Sequence, residues 1–353
     1  MDVFKLMNEF NHEQVLFTRE PAADYFGIIA IHDTTLGPAL GGCRFWNYES
    51  GEEALVDVLR LSLGMTYKAA VAGLNLGGGK SVIIGDPDTS KREMIFRAHG
   101  RAVETLKGRY ITAEDVGTSV EDMDYVHMET EHVVGIAGRS GDPSPVTAYG
   151  TYRGMKACAH HVYGDDSLKG KVVAVQGVGH VGYYLCENLA AEGALLVVTD
   201  IHEDRVARTA EDFGAEGVKP EAIYDVDADI FAPCALGAVV NSKTIPRLRV
   251  RVIAGAANNQ LEKMDDAWAV QERQILYAPD YVINAGGLIN VYSELADWTT
   301  DRSKRKAGEI YQTLLEVFRL AEDEKMTTAE AADRIAQRRI ETVGRLHRSR
   351  ISC

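Results

Sequence analysis

Two lysines and an aspartate in the first third of the chain have the residue types of a reactive site: Lys68 in "MTYK", Lys80 in "GLNLGGGKSVIIGD" (73–86) and Asp115 in "AEDVGT". Lys80, after three glycines and before Ser81, has the outline of a phosphate loop without its spacing. Gly73 lies one residue too far from Gly79, and Val82-Ile83-Ile84 reads as a buried strand where a phosphate loop needs a helix N-terminus. Two neighbouring, partly desolvated ammonium groups instead favour a neutral amine on one of them, which is a base near neutral pH. An aspartate beside them can shuttle protons. Such a set suits a substrate with a carboxylate and a carbon that moves between amine and carbonyl. Met65, one helical turn before Lys68, would offer an apolar surface to the same space.

A second constellation follows in "VVAVQGVGHVGYYLCENLAAEGALLVVTD". Gly177, Gly179 and Gly182 have G-x-G-x-x-G spacing, with Val178, His180 and Val181 between them, and Asp200 stands 23 positions after Gly177. A strand ends at Gln176, a helix starts near His180 and a second strand ends at Thr199, the context in which these glycines bind a dinucleotide. Gly177 permits the tight turn, Gly179 lets backbone approach a pyrophosphate at the positive helix end, and Gly182 lets helix and strand pack closely. Asp200 can accept hydrogen bonds from the adenosine ribose and repels a 2′-phosphate, and Ile201 follows where an NADP enzyme places a basic residue. NAD is therefore the expected cofactor, although Arg205 nearby keeps NADP open.

Other chemistry-bearing residues form no such group. His160 and His161 occupy adjacent helix positions, which point in different directions and do not make a metal pair. Five cysteines (Cys43, Cys158, Cys186, Cys234 and Cys353) without metal-like spacing read as reduced thiols used as small apolar residues. No metal is expected. The basic tail from Arg338 to Arg350 reads as a solvated or subunit-contact helix face, and a formal net charge of −14 opposes nucleic-acid binding.

The elements that must position these residues alternate. Residues 26–33 read as a strand, 52–72 as a long helix, 80–86 as a strand, 90–108 as a helix and 109–115 as a strand. A second series runs helix 147–162, strand 171–176, helix 180–192 and strand 194–200. It continues through apolar runs at 228–236, 250–259 and 277–287, read as strands of a parallel sheet covered on both faces. Residues 302–348 are helical throughout, and the Gly- and Pro-rich stretch 137–146 is the candidate linker. A chain of 353 residues, 46% hydrophobic and 25% charged, with no apolar run near the length of a membrane span and no signal-peptide pattern at its start, is expected to be a cytoplasmic α/β protein of two domains.

The stretches "GMTYKAAVAGLNLGGGKSVIIGDP", "GRYITAEDVGTSVEDMD", "GDPSPVTAYGTYRGMKA", "VVAVQGVGHVG", "VIAGAANNQL" and "ILYAPDYVINAGGLINV" resemble the amino acid dehydrogenase family of glutamate, leucine, phenylalanine and valine dehydrogenases, its leucine branch most. The resemblance implies reversible, NAD-dependent oxidative deamination of an L-amino acid to a 2-oxo acid and ammonia by a homo-oligomer. It also implies two domains separated by a cleft. Residues 1–134 plus 327–353 form the substrate-binding, catalytic and oligomerisation domain, and an inserted Rossmann-type, doubly wound NAD-binding domain spans 135–326. Lys68 matches the lysine that holds the substrate carboxylate, Lys80 the lysine that activates water, and Asp115 the proton-transferring aspartate. Gly41, Gly77 and Gly78 match backbone positions near the substrate, and Asn259 an asparagine near its amino group. Thr147, Asn284 and Ala235 match cofactor positions, alongside the fingerprint residues, Asp200 and Ile201. Leu40, Ala113, Leu288 and Val291 match the side-chain pocket, an apolar set that suits leucine, valine or isoleucine and disfavours glutamate. Two departures stand out: Leu288 replaces the valine common in the leucine branch, and Cys43 replaces a threonine. Phenylalanine or tryptophan dehydrogenation is the alternative, and a non-catalytic NAD-binding regulator a distant one, opposed by the presence of Lys68, Lys80 and Asp115.

Overall fold

The computed structural model describes residues 2–138 and 142–351, with side chains through 346; Cys353, the side chains at the end of the basic tail and the middle of the candidate linker lie outside what it describes. The chain divides into two compact units, one of Met1–Gly141, Glu294–Asp297 and Ala336–Cys353, the other of Asp142–Ser293 and Trp298–Ile335.

The first unit begins with α1 (Val3–Glu9) and builds one five-stranded sheet from β1 (Gln14–Glu20), β2 (Tyr25–Asp33), β3 (Ala39–Trp46), β4 (Gly77–Ile84) and β5 (Tyr110–Glu114). Their order is β1-β2-β4-β3-β5. β1 and β2 pair antiparallel, as do β2 and β4, whereas β3 runs parallel to both β4 and β5. One face carries the long helix α2 (Gly51–Val71), whose Ser50 caps the Glu53 N–H while Glu52 and Glu53 occupy the positive end and Lys68 the negative end. Its buried stripe of Ala54, Leu55, Val58 and Leu59 recurs at helical spacing and packs on Ile28, Ala30 and Val82. The opposite face is covered by α3 (Arg92–Glu104) and α4 (Val120–His127), which enclose Cys43, Phe45, Ile83, Phe96, Met123 and Val126.

The sequence places the start of a strand at Lys80; in the fold β4 begins at Gly77, and the three glycines lie inside it. Steric crowding is the reason. A Cβ on Gly78 would stand 2.1 Å from the Thr66 hydroxyl and 2.2 Å from its backbone nitrogen, and one on Gly79 would enter the Tyr110 ring. The glycine run therefore lets α2 lie directly on the sheet backbone, closer than any side chain permits. The far end of the chain returns to the same place. Arg339 donates to the carbonyls of Leu74 at 2.7 Å and Ala70 at 3.2 Å, closing the C-terminus of α2.

The second unit opens with α5 (Ser144–Tyr163) and has a six-stranded, wholly parallel sheet of β6 (Val172–Gln176), β7 (Leu195–Thr199), β8 (Glu216–Gly217), β9 (Ile230–Pro233), β10 (Val252–Ile253) and β11 (Leu276–Tyr277). The order β11-β10-β9-β6-β7-β8 is that of a Rossmann sheet, with the switch point between β6 and β9. The helices that follow are α6 (His180–Glu192), α7 (Glu203–Phe213), α8 (Asp265–Glu272), α9 (Asp280–Ile283), α10 (Gly286–Leu295), α11 (Thr300–Gly308), α12 (Ile310–Glu324) and α13 (Thr328–Ile351), of which the end of α10 from Glu294 and α13 from Ala336 belong to the first unit. The apolar runs 228–236 and 250–259 contribute only short strands. The run 277–287 is a strand at its first residue alone and then turns into α9, because buried helices and buried strands are equally apolar and periodicity cannot separate them.

Replacing Gly78 with Ala forces α2 and β4 apart. It should lower stability by about 1–3 kcal/mol, read as a fall in the calorimetric unfolding temperature of the purified protein. An unchanged transition would mean that the contact between helix and strand is slack.

Candidate active site

Strand register collects the first group of candidate residues on one face. Gly78 meets α2, so alternation along β4 turns Lys80 and Val82 the same way. The pairings of Leu40 with Gly78 and of Arg44 with Val82 place Leu40, Gly42 and Arg44 on that face of β3, and the pairing of Gly42 with Ala113 extends it to β5. Met65 and Lys68, on the last turns of the overlying α2, are half-buried. Gly41 points the other way: its carbonyl accepts the Tyr110 hydroxyl at 2.6 Å.

Lys80 is 5% exposed, and its Nζ lies 2.9 Å from Oδ2 of Asp115, just past the end of β5. The same oxygen accepts a hydrogen bond from Nε of Arg44 at 3.2 Å. Gly42 makes the approach possible, since a Cβ there would stand 2.7 Å from the Asp115 Cβ. Burial opposes ionisation of the Asp115 carboxyl, but Lys80 and Arg44 outweigh it and hold its pKa below the ordinary value. Lys80 thus meets an ionised carboxylate.

A chain of buried hydrogen bonds backs this face. The Tyr110 hydroxyl, its proton on the Gly41 carbonyl, lies 3.0 Å from Ser81 Oγ, Ser81 meets Nε2 of His99 at 3.2 Å, and Nδ1 of His99 meets the Tyr25 hydroxyl at 3.0 Å. His99 is fully enclosed, and burial pushes its pKa down to about 4.

The second group of candidates belongs to the Rossmann unit. Gly177, with φ of +96°, makes the turn after β6, and a Cβ on Gly182 would strike the Gly177 carbonyl at 2.0 Å. α6 begins at Gly179 with no side-chain cap, leaving its first N–H groups available to an anion. Val178 is buried, Val181 half-buried and His180 exposed. A Cβ on Gly177 would also touch that of Ala235, across the sheet's switch point. The two oxygens of Asp200 accept the N–H groups of Val178 at 2.9 Å and His202 at 3.0 Å, and Arg205 stands 4.0 Å away. Ile201 is 83% exposed, a flat apolar surface beside that carboxylate. Thr147 and Asn284 are buried; Asn284 donates to Asn258 Oδ1 at 2.7 Å while its own Oδ1 accepts no hydrogen bond. Leu288 is buried, Val291 half-buried, and Asn259 exposed with a left-handed φ of +50°. An uncapped helix end, a glycine cradle, a carboxylate at the end of the second strand and an orphaned buried acceptor fit a dinucleotide.

Sequence reasoning missed Arg44, Asp57 and Tyr48. Arg44 NH1 reaches Asp57 Oδ2 at 2.8 Å, and the Tyr48 hydroxyl donates to the same oxygen at 2.8 Å. No motif marks them; only register reveals that Arg44 shares a face with Lys80. His160 is exposed and His161 stands 3.3 Å from Glu322, and no group of three or more metal-ligating side chains occurs among the described residues.

A Rossmann unit with such a cradle, joined to an α/β unit that buries a lysine on an aspartate, defines a nicotinamide-dependent dehydrogenase. Comparison with known proteins makes the class narrower. The model of the Glu/Leu/Phe/Val dehydrogenase dimerisation domain matches residues 12–132, and that of glutamate/leucine/phenylalanine/valine dehydrogenase matches residues 195–347. The chain is 57% identical to a leucine dehydrogenase of Geobacillus stearothermophilus over 97% of its own length and 94% of that protein's. It is 49% identical to a phenylalanine dehydrogenase of Lysinibacillus sphaericus, over 96% and 91% of the two chains. The crystal structure of L-tryptophan dehydrogenase from Nostoc punctiforme superposes with a TM-score of 0.88 at 45% identity, covering 97% of this chain and 99% of that one. The protein belongs to the Glu/Leu/Phe/Val dehydrogenase family and is an amino acid dehydrogenase.

His99 gives the frame behind Lys80 a defined acid sensitivity. Its folded pKa of about 4 lies below the ordinary 6.5, so the unfolded chain binds the proton first. Stability is therefore lost as pH falls from 6.5 toward 4, by up to about 3 kcal/mol from this group. Thermal unfolding between pH 7 and 5 should show the loss, and His99→Gln should make the slope shallower; parallel slopes in the two proteins would exclude His99 as the cause.

Proposed function

We propose that the protein catalyses NAD-dependent, reversible oxidative deamination of a branched-chain L-amino acid, L-leucine foremost, to its 2-oxo acid, ammonia and NADH. The observation that carries this reading is the buried Lys80 on Asp115, on a sheet face that also bears Leu40 and Ala113. Lys68 holds the substrate carboxylate, with Gly41, Gly77 and Gly78 lending backbone and Met65 apolar surface. The bound nicotinamide supplies the hydride acceptor that takes the amino acid to its imine. Lys80 then orients the water that adds to the imine carbon and stabilises the carbinolamine oxygen. Asp115 accepts the proton of that water, returns it to the amine, and takes the carbinolamine hydroxyl proton as the C–N bond breaks and ammonia leaves. Asn259 accepts a hydrogen bond from the amino group.

On its sheet face the first unit sets Leu40 and Ala113, neither a cation for a second carboxylate, which supports an aliphatic side chain over glutamate. The higher identity to leucine than to phenylalanine or tryptophan dehydrogenases supports leucine within that class. The free edge of β1, the exposed Phe17 and Phe26, and the dimerisation domain of the family support a homo-oligomer. No helix among the described residues is long and apolar enough to cross a membrane, which is consistent with a cytoplasmic site of action.

NADH formation with L-Leu, L-Val, L-Ile, L-Phe, L-Trp and L-Glu tests the assignment. Leucine should give the highest kcat/KM, and Lys80→Ala should lower kcat by roughly 10²- to 10⁴-fold while NADH still binds. Preference for an aromatic substrate would shift the assignment to a phenylalanine or tryptophan dehydrogenase of the same mechanism, and full activity of the Lys80 variant would remove the mechanism itself.

Asp200 and Ile201 support NAD over NADP. Fluorescence titration should give NADH a Kd at least about tenfold below that of NADPH, because a 2′-phosphate beside Asp200 meets like charge. Equal affinities would show that Arg205 neutralises the discrimination.

A further inference from the structure

We propose that Arg44 is a positioning residue for this reaction: held by Asp57 and Tyr48, it fixes the Asp115 carboxylate against Lys80 and leaves the second carboxylate oxygen free to exchange protons. The inference rests on the reading in which Lys80 and Asp115 carry the chemistry. Three elements supply it. Arg44, on β3, uses Nε for Asp115 Oδ2 at 3.2 Å and NH1 for Asp57 Oδ2 at 2.8 Å. Asp57, on α2, is anchored in turn by the Tyr48 hydroxyl at 2.8 Å. The guanidinium is planar, so two of its N–H groups serving two carboxylates fix its plane, and with it the direction from which Asp115 is approached.

Oδ2 of Asp115 is then fully engaged. It takes Lys80 Nζ at 2.9 Å and Arg44 Nε at 3.2 Å together. A carboxylate held by one oxygen presents the other in a fixed direction, the geometry that a group passing protons to and from a reacting amine needs. Without Arg44 the carboxylate can rotate and use either oxygen for Lys80.

The arginine also sets the charge balance. The charged groups against Asp115 are Lys80 from β4 and Arg44 from β3, with Glu114 beside it in sequence and Asp57 of α2 behind Arg44. One cation facing one carboxylate would be matched by proton movement between them. The second cation keeps the carboxylate ionised while Lys80 handles water.

The test compares Arg44→Met, Arg44→Lys, Asp57→Asn and Asp115→Asn as full-length proteins, by kcat, KM and the pH profile of kcat/KM for L-leucine deamination. Unfolding temperature and NADH affinity serve as checks of integrity. Arg44→Met should lower kcat by about tenfold or more with KM changed far less, and move the acidic limb of the profile to higher pH by about 1. Arg44→Lys should return the limb toward its original place but not restore kcat, because an ammonium cannot hold both carboxylates. Should Arg44→Met fail to fold, Asp57→Asn decides: it keeps the cation, removes its anchor, and should still lower kcat. Wild-type kcat and limb in the Arg44 or Asp57 variant, with Asp115→Asn inactive, would overturn the role of Arg44 and leave the proposed function standing. An Asp115→Asn protein that turns over normally would instead overturn the function assignment, and the positioning role with it.

Discussion

A lysine ammonium taken out of water is costly unless a carboxylate meets it, and the first unit is arranged around that constraint. Lys80 needs Asp115 within 3 Å, so β4 and β5 must both flank β3, which is the order seen. Between them β3 passes Gly42, where a Cβ would stand 2.7 Å from the Asp115 Cβ. On the other side of Lys80 the glycines of β4 let α2 settle onto the backbone and bring Met65 and Lys68 over the same face. The glycine run that resembles a phosphate loop in sequence is thus a packing device.

The second unit solves a different electrostatic problem by different means. Its positive end is built from backbone. The uncapped start of α6 offers N–H groups, and the turn at Gly177 holds them at the switch point of a parallel sheet. The Asp200 carboxyl accepts two backbone N–H groups, those of Val178 and His202. Arg205, at 4.0 Å, is too far for a tight ion pair with it.

What the sequence reveals follows from how local each signal is. The fingerprint from Val172 to Asp200 was legible almost to the residue, because turn, helix cap and strand are coded within thirty neighbours. β3 was not read as a strand at all: "ALGGCRFW" carries two glycines where a strand former is expected, and those glycines exist for contacts with β4 and β5, far away in the chain. β1 and the short β8 escaped for lack of alternation. The same non-locality hid Arg44, Asp57 and Tyr48. An arginine after "GGC" has no distinguishing neighbours, and its role exists only once register has set it beside Val82 and Lys80. Candidate residues that a motif carries were visible; those that only a fold brings together were not.

Cys43 illustrates how strictly that register assigns roles. It is one residue from Arg44 and one from Gly42, yet alternation turns it to the opposite face, among Phe45, Ile83 and Phe96. There burial pushes its thiol up to about 12, so it stays neutral and does not compete with Asp115 for Lys80. A threonine in this place would bring a second hydroxyl to a site where Ser81 already meets Tyr110 and His99. The thiol instead fills the volume and asks little of its surroundings. The substitution therefore belongs to the packing behind the sheet, on the face opposite Lys80, Asp115 and Arg44.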